Sequence, residues 1–309
     1  MRKIKEITKT ILFRLYIEIT SVLDFRHIWI LSRNLKVPEF SDKAGIQGNC
    51  CFGNLPAVKN ALGDKFDPHC MIEHGVYFGR NVLEDECVYP EISTIYTYSP
   101  YRLEVLQEHF GENFDKKIVL VGPYLIHANH MLSDSKRTEL KKKYGRTLLV
   151  FPSHSSPEGE TSFDYGAWLS EIDKRAKNYD KIIISLFWLD VYNGNYKRYK
   201  DKGYILACCG NRFDPNFLSR QKDMISLADM TMSNDIGTHI GYCIAMGKPH
   251  YIYHQNVLFE AEEEKDRDTD AIIVNRKREY SELFGLFSEF KEEITPDQEK
   301  VIKYYWGEY

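Results

Sequence analysis

The chain has 309 residues, of which 43% are hydrophobic and 28% charged, with 41 basic against 45 acidic side chains and a formal net charge of −4. This composition excludes a wholly disordered chain and carries no electrostatic footprint for nucleic acid as a partner. The length suggests about two domains. The seven cysteines include the adjacent pairs Cys50-Cys51 and Cys208-Cys209 but no C-x-x-C, so neither a zinc site nor a disulfide framework is expected. A reducing, cytoplasmic setting follows.

Residues 3–23 read as an amphipathic helix, with Ile4, Ile7, Ile11, Leu15, Ile19 and Val22 recurring at steps of three and four, widened by Leu12, Tyr16 and Leu23. Arg14 and Glu18 interrupt the apolar residues and no cleavage site follows, so this is not a signal peptide. No stretch reaches the roughly 18–20 apolar residues of a membrane span. With Arg2, Lys3, Lys5, Lys9 and Arg14 against Glu6 alone in residues 1–14, the helix suits either of two roles. It can lie peripherally on an anionic membrane, at the inner face of the plasma membrane, or pack on its own domain.

From about 44 to 125 short apolar runs alternate with Gly, Pro and polar turns. Cys70-Met71-Ile72 and the β-rich Ser93–Tyr98 are expected strands; Ser99-Pro100 starts a helix through Phe110, Gly111 ends it, and Lys117–Val121 is the next strand. Strand, helix, strand with short connections is the grammar of a parallel sheet. The polar, basic stretch 133–146 reads as a bridge between domains. Beyond it come strands at Thr147–Phe151, Lys181–Trp188, Tyr204–Cys208, Met230–Met232 and Pro249–Tyr253. Helices lie between them at Trp168–Asn178, Tyr196–Lys202, Asn216–Ala228 and Gly237–Met246, which predicts a doubly wound parallel sheet. An acidic loop near 260–270 and helices at about 276–290 and 296–306 complete the chain.

In an open parallel sheet ligands bind beyond the carboxyl ends of the strands, so chemistry is sought there. Ser233-Asn234-Asp235-Ile236-Gly237-Thr238-His239 leads from a short strand into a helix, where unpaired N–H groups, the helix dipole and a glycine favour an anion. An ordinary N-cap by Ser233, Asn234 or Asp235 is the plainer reading, and Asp235 suits a ribose hydroxyl better than a bare phosphate. Ser153, His154, Ser155 and Ser156 follow another strand, as a phosphate or cleft loop or as simple capping residues. Glu73-His74-Gly75 ends a strand of the first half, where carboxylate and imidazole form either a general base or a structural ion pair. His127 is a further first-half candidate. G-x-G-x-x-G, G-x-x-x-x-G-K-[ST] and G-x-S-x-G are all missing, and so is a D-x-D metal motif.

With Ile72–Gly79, Val121-Gly122-Pro123-Tyr124, Val150–Ser155, Ala228-Asp229, Ser233-Asn234, Gly237–Tyr242 and Gly247-Lys248-Pro249 in view, the chain resembles the GT-B glycosyltransferases of bacterial capsule, lipopolysaccharide and O-antigen biosynthesis. The resemblance covers most of residues 70–255 and is most specific in its last blocks. It implies an α/β, GT-B-like fold: two Rossmann-like domains with a cleft between them, plus an N-terminal amphipathic helix (1–25) and C-terminal helices (276–309) packing back on the first domain. Residues 26–140 would form the acceptor-side domain and 141–275 the nucleotide-donor domain. Ser153, His154, Ser155, Ser233, Asn234, Gly237, Thr238 and His239 would hold the donor, Glu73 or His74 would activate the acceptor, and His127 would lie on the acceptor side. The implied partners are a nucleotide sugar and a polysaccharide or lipid-linked acceptor, with no cofactor and no metal. Other members place a glutamate in the ribose-binding helix, whereas Gly237–Met246 holds no acid, which leaves a CMP-linked donor open beside a UDP-linked one. The rivals are an epimerase-like or polyol-phosphate-transferring enzyme on the same scaffold, and a non-catalytic assembly protein.

Overall fold

The computed structural model describes residues 2–35, 46–111, 114–157, 159–261 and 269–309. The acidic stretch near 260–270 therefore falls largely outside the described residues.

Each half of the chain builds one parallel sheet. In the first, β1 (Cys70–Ile72), β2 (Thr94–Thr97) and β3 (Lys117–Leu120) lie in that order, with Met71 opposite Ile95 and Ile95 opposite Ile118. The Ser99 hydroxyl caps the Pro100–Phe110 helix by accepting from the Arg102 N–H at 3.3 Å, and Gly111, at φ +75°, ends it. The second sheet runs β7-β6-β4-β8-β9, from β4 (Thr147–Phe151), β6 (Lys181–Leu186), β7 (Ile205–Cys208), β8 (Met230–Ser233) and β9 (His250–Ile252). Counted within this sheet alone the order is 3-2-1-4-5, the first five strands of the doubly wound order 3-2-1-4-5-6, and the direction of winding reverses between β4 and β8. Every residue of β4 and β8 is buried, as expected for strands covered by helices on both faces. The expected pair of Rossmann-like α/β units facing across a cleft is thus present, the first reduced to three strands.

Several elements differ from the sequence-based expectation. The polar bridge is a helix, Asp134–Tyr144, capped by Ser133 and holding only Leu140 and Tyr144 in the core; two inward positions in eleven leave almost no periodicity to read. A nine-residue helix, Asn54–Leu62, was not anticipated between the short runs of the first half. β5 (Gly159–Ser162) and β10 (Leu258–Ala261) form a separate antiparallel pair.

The terminal helices tie the units together. The N-terminal helix, Arg2–Thr20, docks on the second unit: the Tyr16 hydroxyl donates to the Leu31 carbonyl at 2.9 Å and accepts from the Asn211 N–H at 3.1 Å. The buried Arg220 guanidinium donates to the carbonyls of Thr20, Leu23 and Cys209 at 2.5, 2.8 and 2.8 Å. At the other end Pro296–Trp306, set by a Thr295/Gln298 capping box, reaches the first unit through Tyr304, whose hydroxyl donates to Glu104 at 2.8 Å. It also presses Trp306 against Gly241, so closely that a Cβ there would fall inside the indole. One apolar cluster accordingly holds Tyr96 and Tyr98 of the first unit, Leu149 and Ile240 of the second, and Trp306.

Gly241→Ala is therefore expected to cost about 1–3 kcal/mol through overpacking, read from the chemical denaturation midpoint. An unchanged midpoint would mean that the terminal helix is not wedged at this point.

Candidate functional site

Beyond the carboxyl ends of β4 and β8, where the winding reverses, a cavity of about 900 Å³ opens toward the first unit. Its walls come from both halves: Phe52, Asn54 and His74 from the first, and the 151–154 and 235–239 loops, Gln221 and Tyr242 from the second. Thr161, Leu258 and Phe259 of the β5–β10 pair add a rim. Among the described lining residues there is no Lys, Arg or Glu; the titratable side chains are His74, His154, His239, His254 and Asp235, with Tyr242, Tyr280 and Cys209.

The two units touch at Thr238. Its hydroxyl oxygen lies 3.4 Å from the Val76 N–H, and its carbonyl accepts from the Trp306 indole N–H at 3.0 Å. The helix after this turn is His239–Ala245, shorter at both ends than expected and free of acidic residues. Gly237, Thr238 and His239 all line the cavity. The His239 ring stacks on Phe151 (centroids 4.7 Å apart), and its Nε2 is enclosed with no hydrogen-bond partner among the described residues. Burial, and secondarily the nearby His154, push its pKa down to about 3, so it is a neutral hydrogen-bonding group at physiological pH.

Other predicted donor ligands are spent on structure. Ser233 is 1% exposed; its hydroxyl donates to the Asp235 carbonyl at 2.7 Å and lies 3.0 Å from His250 Nε2. Asn234 is fully buried and works as a clamp: Oδ1 accepts from the Ser153 N–H (2.7 Å) and hydroxyl (3.0 Å), and Nδ2 donates to Gln255 Oε1 at 3.2 Å. Ser155 is buried, its hydroxyl accepting from the Thr161 N–H at 3.1 Å. These three hold the β4 and β8 loops and lie outside the lining. Ser153 and His154 do line the cavity, with the His154 ring stacked 4.2 Å from Phe187. So does Asp235, whose Oδ1 also accepts from the Ile236 N–H at 2.7 Å.

On the first unit the Glu73-His74 pair divides. Glu73 is fully buried: Arg102 grips both carboxylate oxygens, at 2.6 and 3.0 Å, and the Thr97 hydroxyl donates to Oε2. This is the structural ion pair, and it corrects the reading of Glu73 as a base open to the cleft. His74 faces the cavity, with its Nε2 2.9 Å from the Tyr77 hydroxyl. Burial, and then the charge of Glu73, hold the Tyr77 phenol protonated. His127 is also corrected: its Nε2 lies 3.1 Å from the Val121 carbonyl, outside the cavity lining.

Sequence reasoning missed Asn54, Phe52 and Gln221. Asn54 is 1% exposed, and neither atom of its carboxamide has a partner among the described residues. An unpaired buried polar group costs about 1–3 kcal/mol. Nothing in the local pattern marks it, because the Asn54–Leu62 helix itself was not legible. No group of three or more His, Cys, Asp or Glu placed to hold a metal occurs among the described residues.

No family model matches the chain, and no curated protein matches it. Solved structures similar to it include HepE from Anabaena in complex with UDP-glucose (13% identity, TM-score 0.33, covering 59% of this chain and 52% of that one). The wall teichoic acid polymerase TagF is similar at 11% identity and TM-score 0.41, covering 71% of this chain and 62% of that one. For sucrose-phosphate synthase from Thermosynechococcus elongatus the values are 10%, 0.35, 79% and 65%. The chain thus spans between half and two thirds of the length of these neighbours.

Two stability experiments follow. Glu73→Gln leaves Arg102 buried without its counter-charge and should cost about 3–5 kcal/mol in urea denaturation; a loss below 1 kcal/mol would mean that the pair is solvated. His250 is buried against Thr231 and Ser233, and burial, then neighbouring His239, lower its pKa well below the ordinary value. A histidine depressed in the folded state stabilises fully above about pH 6.5, and the stability is lost as pH falls, by about 1.4 kcal/mol per pH unit. His250→Gln should therefore flatten the stability profile between about pH 6.5 and 5; equal slopes would contradict the neutral, buried imidazole.

Proposed function

We propose that the chain is a glycosyltransferase that moves a sugar from a nucleotide-sugar donor to a hydroxyl of a bacterial surface polysaccharide or lipid-linked acceptor. The observation that carries this reading is the cavity at the winding reversal of the second sheet, walled by both units, with His74 on one side and the Gly237-Thr238-His239 turn on the other. Main-chain N–H groups at that turn, the Thr238 hydroxyl and the neutral His239 ring meet the donor phosphate, with Ser153 and His154 beside them. Asp235 takes a ribose or sugar hydroxyl. The acceptor hydroxyl attacks the anomeric carbon as the bond to the nucleotide phosphate breaks, and His74 accepts the hydroxyl proton. With no Lys or Arg in the described lining, the charge of the donor phosphate is shared among hydrogen bonds, and we take the transfer to be metal-independent. Among the described lining residues Asp235 is the single carboxylate, which favours transfer over an epimerase, since that would need several acids around the cleft.

A thermal-shift panel of CMP, UDP, GDP and CDP tests the reading at its base: at least one should raise the melting temperature, and no response to any at millimolar concentration would count against every nucleotide-dependent function. Thr238→Ala should weaken the responding nucleotide roughly 10- to 100-fold through one lost charge-assisted hydrogen bond. His74→Ala should lower turnover by about 10²–10⁴-fold while nucleotide affinity holds. If His74→Ala abolishes nucleotide binding instead, the histidine belongs to the donor subsite. Turnover that survives EDTA is expected; loss of activity restored by a divalent cation would overturn the metal-free part of the mechanism.

A further inference from the structure

The N-terminal helix has two apolar faces and the fold uses one. Phe13, Tyr16 and Thr20 are buried, at 8%, 5% and 0% exposure, Phe13 and Tyr16 in a cluster with Cys51 of the first unit and Phe213 of the second. On the other side Ile7, Ile11, Leu12, Leu15, Ile19 and Val22 stand 47–82% exposed, a continuous stripe along the helix and just past its end. Isolated exposed apolar residues are ordinary on a protein surface; six in one stripe are not. The helix cannot roll to bury them. Tyr16 is bonded on both sides of its hydroxyl, and Arg220 holds the carbonyls of Thr20 and Leu23 from inside the second unit. The stripe is therefore presented outward by construction.

Charge identifies what it meets. The chain as a whole is acidic at −4, yet residues 2–20 carry Arg2, Lys3, Lys5, Lys9 and Arg14 against Glu6 and Glu18. A second copy of this chain would bring the same excess of positive charge to the contact and repel. Trp29, on the next short helix, is also 54% exposed, an amphipathic ring of the kind favoured at headgroup depth. We propose that this face docks the protein in the interface of an anionic lipid bilayer, with the isoleucine stripe entering the acyl boundary and the basic side chains at the headgroups. No described helix is long and apolar enough to cross a membrane, so the attachment is in-plane.

The full chain should co-sediment with phosphatidylcholine–phosphatidylglycerol vesicles, much less with phosphatidylcholine alone, and binding to the mixed vesicles should weaken as salt is raised. Ile11→Glu with Leu15→Glu should leave the protein in the supernatant at an unchanged melting temperature and an unchanged thermal shift with the nucleotide panel. Those last two readouts separate failure of this proposal from misfolding and from failure of the transferase reading. Absence of co-sedimentation with the anionic vesicles, or sedimentation unaltered by the double substitution, would overturn it. So would a dimer in light scattering that the substitution dissolves, which would assign the stripe to contact between copies.

Discussion

Thr238 is the residue on which the arrangement of the two units turns. Its carbonyl is bound by the indole of the terminal helix and its hydroxyl faces the Val76 N–H of the first unit, while its own backbone opens the helix after β8. Three parts of the chain, more than 60 residues apart in sequence, converge on it. Gly241, one turn further on, admits Trp306, and Tyr242 hydrogen-bonds Tyr98, just past β2 of the first unit, at 3.0 Å. The short helix that borders the cavity is thus also a fastening between halves, beside Lys222 and Asp223, which bind the 126–132 segment of the first unit. Any closure or opening of the cleft must work against these contacts.

The polar groups around the cavity divide into those that shape it and those that face it. Asn234, Ser233, Ser155 and the His250–Thr231 contact consume their hydrogen bonds in holding loops, and each is buried. Among the described residues, what remains exposed to a ligand is mainly neutral: imidazoles, hydroxyls, backbone and aromatic rings, with Asp235 as the one carboxylate. In a partly enclosed cavity such dipoles gain strength from the low local dielectric without the desolvation cost of a buried cation. Selectivity then rests on positioning more than on net charge.

Much of the second unit was legible because its strands are buried on both faces and read as apolar runs, Thr147–Phe151 and Lys181–Leu186 above all, separated by helices of ordinary length. The cavity's place followed from that order. What the sequence could not resolve was direction. Glu73 and His74 are neighbours just past β1, and successive side chains of extended backbone point to opposite sides; Glu73 turns inward to Arg102 and His74 outward to the cavity. The partner that decides this lies 29 residues away on another element. The same holds for Ser233 and Asn234, which look like ligands by type and serve as clamps by contact. The Asp134–Tyr144 helix was hidden for a different reason: it is polar nearly all round and owes its place to tertiary contacts such as Lys141 with Asp229.

The N-terminal helix joins these observations. Arg220, wholly buried, answers the Asp214 carboxylate at 2.9 Å and also donates to the carbonyl of Thr20 at the end of that helix, to that of Leu23 just beyond it and to that of Cys209. A helix end needs partners for its final C=O groups, and here they come from a cation in another element, in the sense favoured by the helix dipole. Removing the helix would leave the Arg220–Asp214 pair with part of its hydrogen bonding gone, inside the core rather than at its edge. Arg220 also shares its helix with Phe217, Leu218 and Gln221, all of which line the cavity. The surface that carries the exposed isoleucines is therefore fastened to the wall of the site through one buried guanidinium.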